Sequence, residues 1–295
     1  WTCFGIIVGL LGLLTAWTVA FGTKENESAL RSKAQKNGNP IEAFKAIFQN
    51  DQLLWVALSY LLYAIANVAT TGVLIFPFKF VLDNQAVYSA TGVIALVAGL
   101  IMAPLYPILN KRIPRRYLYI GGMISMIAGY VMLGIFSDNI IMVFVALVLF
   151  YVPGTLIQMT AILSLTDSIE YGQLKNGKRN EAVTLSVRPM LDKIGGAMSN
   201  GIVGFIAIAA GMTGDATAAD MTAANINTFK TCAFYVPLAL IVLSLLVFMF
   251  KVKINEKMHA EIVEQLEAKL AVGEIPDEEA KTVETVEAST RRPIL

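Results

Sequence analysis

Long apolar runs broken by short polar stretches organise this sequence from its first residue. Seven runs stand out: Trp1–Phe21, Leu53–Phe78, Ala86–Leu109, Tyr117–Phe136, Ile140–Leu165, Val183–Met212 and Thr231–Phe250. A hydrocarbon core about 30 Å thick is crossed by roughly 20 apolar residues in a helix, so each run predicts a transmembrane helix. Leu53–Phe78 contains no Asp, Glu, Lys or Arg at all. The fold class is therefore an all-α membrane protein with seven transmembrane helices. Between the first two runs, Gly22–Gln52 is polar, and Asn37 to Pro40 form a turn signal. It reads as a flexible linker whose amphipathic end, Ile41–Phe48, lies along the membrane surface. In the tail, Met258, Ile262, Leu266 and Leu270 recur every fourth residue between Glu and Lys. That spacing predicts a polar-faced helix of about four turns. Glu274–Arg292 is acidic and aperiodic, and it reads as a linker or disordered segment.

Charge then orients the spans. Lys24, Arg31, Lys33, Lys36 and Lys45 fall in the first polar stretch, and Lys111, Arg112, Arg115 and Arg116 crowd into Asn110–Arg116. Lys175, Lys178 and Arg179 follow the fifth run, and Lys251 and Lys253 open the tail. The alternate loops Val81–Gln85 and Ser137–Asn139 carry no Lys or Arg, and Thr213–Lys230 carries only Lys230. Cytoplasmic loops are the lysine- and arginine-rich ones, so Trp1 is expected outside and the C-terminal tail inside, across a cytoplasmic membrane. Composition agrees: 56% hydrophobic and 15% charged residues, with a mean hydropathy of +0.63, exclude an ordinary soluble enzyme. A net charge of +1 gives no basic excess for nucleic acid. Two cysteines, Cys3 and Cys232, and one histidine, His259, are too few for a disulfide framework or a histidine-rich metal site. No metal and no catalytic group are expected. A start at Trp1, already apolar, suggests a fragment of a larger membrane protein.

Polar residues inside the spans carry the candidate chemistry. Tyr60, Tyr63, Asn67 and Thr71 are three, four and four apart, so they form one stripe on the second helix. Such groups face the bundle interior or a water-filled cavity, where Tyr and Asn hydrogen-bond hydroxyls and stack on a sugar ring. The plainer reading is an interfacial Tyr and interhelical hydrogen bonds. Tyr151, Thr155 and Gln158 repeat the pattern on the fifth run, beside Pro153 and Gly154. The sixth run holds Arg188, Asp192 and Lys193 near mid-helix. Ionisable residues at that depth cost at least a few kcal/mol and mark a pathway by default. Arg188 and Asp192 are placed to pair along one face. Lys193 points about 100° away and needs another partner or water. Pro189 removes a backbone hydrogen bond, and Gly195, Gly196, Ala197, Ser199, Gly201 and Gly204 admit a close neighbour. Upstream, Asp167, Glu170, Lys175, Lys178 and Glu181 make a loop in which carboxylates and lysines form a candidate gate.

The run Asp167-Ser168-Ile169-Glu170-Tyr171-Gly172-Gln173, with Lys175, Gly177, Arg179 and Glu181, resembles the loop between helices ten and eleven of the glycoside–pentoside–hexuronide cation symporters. Ser186 to Pro189 and Asp192 to Gly196 are similar to helix eleven of that family, above all in its lactose- and raffinose-type permeases. The resemblance implies the C-terminal half of a major facilitator superfamily transporter plus helix six. Residues 1–21 would then be helix six, 22–52 the central cytoplasmic loop, 53–250 the six-helix half and 251–295 a cytoplasmic tail. It implies Lys193 near the cation and sugar site, and Lys175 and Glu181 in coupling. The histidine that lactose-type permeases often carry is replaced by Lys178, which leaves no titrating switch there. Helices one to four, where the family binds its cation, would lie in a missing N-terminal half.

The expected function is secondary transport of galactoside-type sugars, driven by H⁺ or Na⁺ or by sugar exchange, with no other cofactor. Tyr60, Tyr63, Asn67, Gln158 and Lys193 are the expected sugar-facing residues. Arg188, Asp192, Lys193, Asp167, Glu170, Lys175 and Glu181 are the expected coupling and gating residues. Sugar, the other half of the transporter and the lipid bilayer are the expected partners, with no nucleic acid. The competing reading is a seven-helix receptor or photoreceptor, although retinal would require its lysine in the last span rather than in the sixth.

Overall fold

A computed structural model of the chain describes residues 2–22, 45, 48–177, 181–214 and 216–271, and every described regular element is helical. The linker residues 23–44, Lys178 and the acidic run from 272 onward lie outside the described residues. The chain divides into two units, 1–42 with 278–295, and 43–277. In the first, α1 (Thr2–Gly22) is a helix with no acidic or basic residue in its end turns.

The second unit holds α2 (Asp51–Val73), α3 (Ser89–Asn110), α4 (Arg115–Ile135), α5 (Ile140–Asn176), α6 (Glu181–Ala209), α7 (Ala223–Lys230), α8 (Val236–Lys251) and α9 (Glu256–Ala271). A π-helical turn at Pro77–Val81 prolongs α2, and another at Thr231–Tyr235 joins α7 to α8. Five described helical segments are long and apolar enough to cross a bilayer: Asp51–Val81, Gln85–Asn110, Arg115–Ile135, Ile140–Asn176 and Ala223–Lys251. The chain is thus a multi-pass membrane protein. Two of the seven expected spans fall outside this count. The apolar stretch of α1 runs only Thr2–Thr18 among the described residues. Helix α6 has the length, but Arg188, Asp192 and Lys193 dilute its apolar character.

The fifth run departs most from expectation. The segment from Asp167 to Asn176, expected as a loop, is instead the last part of the 37-residue α5. At 1.5 Å per residue α5 is about 55 Å long, well beyond a hydrocarbon core. Pro153 lies within it without ending it, and the helix runs on to Gly177, whose φ of 70° takes the left-handed conformation that ends it. Asp167, Glu170 and Tyr171 consequently share one helical face. The tail helix forms as the four-residue spacing predicts: Ile262 and Leu266 are buried, and α9 packs along α5.

Hydroxyl pairs knit the bundle between its buried helix faces. Ser59 of α2 lies 2.9 Å from the Tyr119 hydroxyl of α4 and donates to the carbonyl of Ser244 in α8; Ser244 returns a 2.7 Å bond to the carbonyl of Ser59. Higher in the bundle, Tyr130 donates to the carbonyl of Ala66 at 3.0 Å and lies 2.8 Å from Thr70 Oγ1. Interhelical bonds of this kind average about 0.6 kcal/mol in a membrane. They hold α2, α4 and α8 as a scaffold.

Helices α4 and α5 touch backbone to backbone at Gly129, where an added Cβ would stand 2.9 Å from the carbonyl oxygen of Ala146. Gly129→Val must therefore push the two helices apart. It should cost about 1–3 kcal/mol, read as a lower melting temperature in detergent. Gly121→Val, which meets nothing within 4 Å on the same helix, should melt like the parent.

Candidate functional site

Helix α6 is held against α2 by small residues. A Cβ on Gly72 would come 2.7 Å from Val203 Cγ2, and a Cβ on Gly195 would lie 3.4 Å from the Cβ of Ala64. This approach brings Tyr60 to the charged turn of α6, where its hydroxyl donates to Asp192 Oδ1 at 2.7 Å. Arg188 Nε lies 3.9 Å from Asp192 Oδ2 along the helix, the pairing that the spacing predicts. That Nε is buried and has no hydrogen-bond partner. Tyr63 stacks obliquely on Tyr60, with centroids 5.8 Å apart, and donates to the carbonyl of Gly154 in α5 at 3.4 Å, with Gln158 beside it.

The expected sugar-facing residues therefore gather across α2, α5 and α6, at different depths. Tyr60 and Tyr63 are buried, whereas Asn67 and Gln158 are half-buried. Asn67 is engaged through its backbone carbonyl, which accepts from Thr71, and its side-chain amide forms no hydrogen bond among the described residues. Lys193 is exposed, and neither a hydrogen bond nor an ion pair forms at its ammonium. The arrangement offers a fixed carboxylate, a free ammonium, an amide and aromatic faces. Those groups suit a neutral polyhydroxylated ligand: hydroxyls bond to both charge signs, and ring C–H faces lie on aromatics. Of the small residues beyond Gly195, Gly196, Gly201 and Gly204 meet nothing within 4 Å, so that flank of α6 is open.

A second polar cluster lies at the basic end of the bundle, where the loop 110–116 and the tail meet. Arg115 bonds Asp167 Oδ2 at 2.6 Å, and its backbone N–H donates to Glu256 Oε1 at 2.6 Å, with Nε 3.3 Å from the same oxygen. Asp167 and Glu170 face His259, whose Nε2 is 3.8 and 3.6 Å from them. Lys175 pairs with Asp51, which also accepts from Tyr171 at 3.0 Å. Asn50 caps α2 through Leu53 N–H and donates to the carbonyl of Ser168 at 2.7 Å. Gln52 accepts from the backbone of Lys253 at 2.8 Å. Glu181 opens α6 and is exposed. The partners Arg115, Asp51, Asn50, Glu256 and His259 were not among the expected site residues. The only signal that could have found them is acidic or amide residues at a membrane boundary rich in Lys and Arg.

Glu256 fastens α9 to the bundle. Partial burial alone would raise its pKa, but the Arg115 backbone N–H and guanidinium outweigh it and hold the carboxyl below its ordinary 4.5. A depressed carboxylate stabilises attachment above the unfolded pKa, and that stabilisation disappears as pH falls through the folded one. A spin label on Ala260→Cys, with Cys3 and Cys232 replaced, should be immobile at neutral pH and loosen only below 4.5. Glu256→Gln should flatten that profile. Mobility unchanged to pH values far below the carboxylate range would contradict the latch.

Comparison with known proteins fits this geometry. Residues 1–256 match the family model for MFS/sugar transport protein. The chain is 52% identical over 273 residues to the lactose permease of Leuconostoc lactis and 46% identical over 293 residues to that of Lactobacillus helveticus. It is 38% identical over 267 residues to the raffinose carrier protein of Pediococcus pentosaceus. These alignments cover 92%, 99% and 90% of the chain but 42%, 46% and 42% of the relatives. The chain thus spans somewhat less than half the length of these three curated relatives, and they are permeases and carriers, not receptors or enzymes. It belongs to the MFS/sugar transport protein family, on the glycoside–pentoside–hexuronide branch that holds the lactose and raffinose permeases.

Proposed function

We propose that the chain supplies one half of a secondary carrier for galactoside-type sugars such as lactose or raffinose. The coupling is to H⁺ or Na⁺, or to exchange for a second sugar. In this reading residues 53–250 form the six-helix half, with α6 crossing the membrane along a water-filled path, which completes the count with α1 as a seventh span. Residues 22–52 join the halves, and 251–295 are the tail. The basic end faces the cytoplasm of a cytoplasmic membrane, as the loop lysines and arginines require. The partners are the sugar, the other half of the carrier and the bilayer. Transport proceeds by rocking of the halves about a site near the midplane.

The observation that carries this reading is the Tyr60–Asp192–Arg188 contact beside an ammonium without a partner at Lys193. Charges kept at that depth are costly unless a ligand or ion engages them. The Tyr60 hydroxyl fixes the carboxylate, and Lys193 is free to respond to cation or sugar. Coupling then means that occupancy by one ligand favours the conformation that binds the other. At the basic end, the Arg115–Asp167 and Lys175–Asp51 pairs and Glu170 form a gate, with Glu181 at the start of the neighbouring helix.

Lys193→Ala in the full-length protein should abolish accumulation of labelled lactose above the outside concentration, at unchanged membrane level. Lys193→Arg should restore it only in part, because guanidinium is larger and does not deprotonate. Parent-like accumulation by Lys193→Ala would contradict the coupling role. Tyr60→Phe removes a bond to a charged group worth about 1.5–3 kcal/mol, so uptake efficiency should fall roughly tenfold or more, read from initial rates.

A further inference from the structure

Beside the gate pairs, the loop 110–117 and the start of α9 enclose a cleft of about 450 Å³ lined by Asn110, Lys111, Arg112, Arg116, Glu256 and Lys257, among others. Its charge is unbalanced. Glu256, the acid in the lining, is taken by Arg115. Arg116 spends two donors on the carbonyls of Val252 and Met249, at 3.2 and 2.6 Å. Lys111, Arg112 and Lys257 are exposed and carry no ion pair. Two separate elements therefore converge three unpaired cations on one concave surface. Topology alone requires basic residues somewhere in the loop, but not a cleft that gathers them with a tail residue.

The cleft sits at the boundary of the apolar spans: α3 ends at Asn110, and α4 begins at Arg115. Tyr117, another lining residue, is 65% exposed one turn into α4, where interfacial tyrosines meet headgroups. Asn110 adds a second demand. Its side-chain oxygen is buried and accepts no hydrogen bond; turned toward the cleft that Asn110 lines, it would accept one from a bound headgroup.

We propose that this cleft binds the headgroup of phosphatidylglycerol, the phosphate among Lys111, Arg112 and Lys257 and a glycerol hydroxyl donating to Asn110. Charge complementarity selects an anionic lipid. A zwitterionic headgroup would set its own ammonium among three cations. The hydroxyl favours a glycerol headgroup over a bare phosphate monoester. Because the cleft shares Glu256 with the Arg115 pair, lipid bound there adjoins the gate. The proposal requires only that the basic end lies at a bilayer surface and does not depend on the transported ligand.

The test is native mass spectrometry of the full-length protein titrated with dioleoylphosphatidylglycerol and, separately, with dioleoylphosphatidylcholine and inorganic phosphate. The parent should retain phosphatidylglycerol well beyond phosphatidylcholine, and excess phosphate should not displace it. Lys111→Ser with Lys257→Ser should weaken that retention by about tenfold or more, from the typical worth of a cation near an anionic surface. Lys251→Ser with Lys253→Ser, which removes the same charge outside the cleft, should not. Asn110→Leu should reduce the preference for phosphatidylglycerol over phosphatidic acid. Equal loss in both double variants, or full displacement by phosphate, would overturn the proposal. A matching melting temperature of the two double variants separates loss of the site from misfolding.

Discussion

Arg188, Asp192 and Lys193 sit close to the middle of α6, and a charge carried into hydrocarbon persists only with water or a counter-group. That constraint shapes the rest of the bundle. Asp192 is met from α2 by the Tyr60 hydroxyl and from its own helix by Arg188. To bring Tyr60 that close, α2 and α6 pack through Gly72, Gly195 and Ala64, where side chains are smallest. Lys193 gains no protein partner among the described residues, and in the proposed carrier its flank of α6 opens to water or ligand rather than to lipid. In that reading, close packing on one side and solvation on the other make α6 a boundary element.

The scaffold and the site use polarity in opposite ways. Between α2, α4 and α8, Ser59, Tyr119, Ser244, Thr70 and Tyr130 satisfy each other and leave little for a ligand. Along α2 and α6, Asn67 and Lys193 keep side-chain hydrogen-bonding capacity in reserve, while Gln158 of α5 engages Tyr63. The basic end follows a third pattern, with cross-element ion pairs that join α2 to α5 and α4 to both α5 and α9. The exposed Lys175–Asp51 pair contributes little stability by itself, whereas Arg115–Asp167 is nearly buried and removal of either partner strands the other charge. In the proposed carrier, their placement between elements that would move relative to one another suits a latch as well as a brace.

Much of this was legible in the sequence because the signals are local. Apolar run length gave the helices, four-residue spacing gave α9, and i to i+4 spacing paired Arg188 with Asp192. Two kinds of information were not local. The stretch after Leu165 looked like a loop because its residues are charged, yet Asp167 and Glu170 are charged inside a helix that outruns the bilayer. Their partners come from far along the chain: Arg115 from the α3–α4 connection, and Glu256 and His259 from the tail. Asp51 meets Lys175 across 124 residues, and no periodicity encodes that pairing. Likewise, the stripe of Tyr60, Tyr63 and Asn67 was evident, but not that the two tyrosines are buried while Asn67 stays partly open.

The central claim is that the Lys193 flank of α6 lines an aqueous sugar path. Lys193→Cys, in full-length protein with Cys3 and Cys232 replaced, tests it most directly through labelling by a membrane-impermeant maleimide in oriented vesicles. The account predicts rapid labelling that lactose or raffinose slows in a concentration-dependent way. Labelling that is absent with the impermeant reagent, but rapid with a lipid-soluble one and indifferent to sugar, would place this flank against lipid and contradict the account.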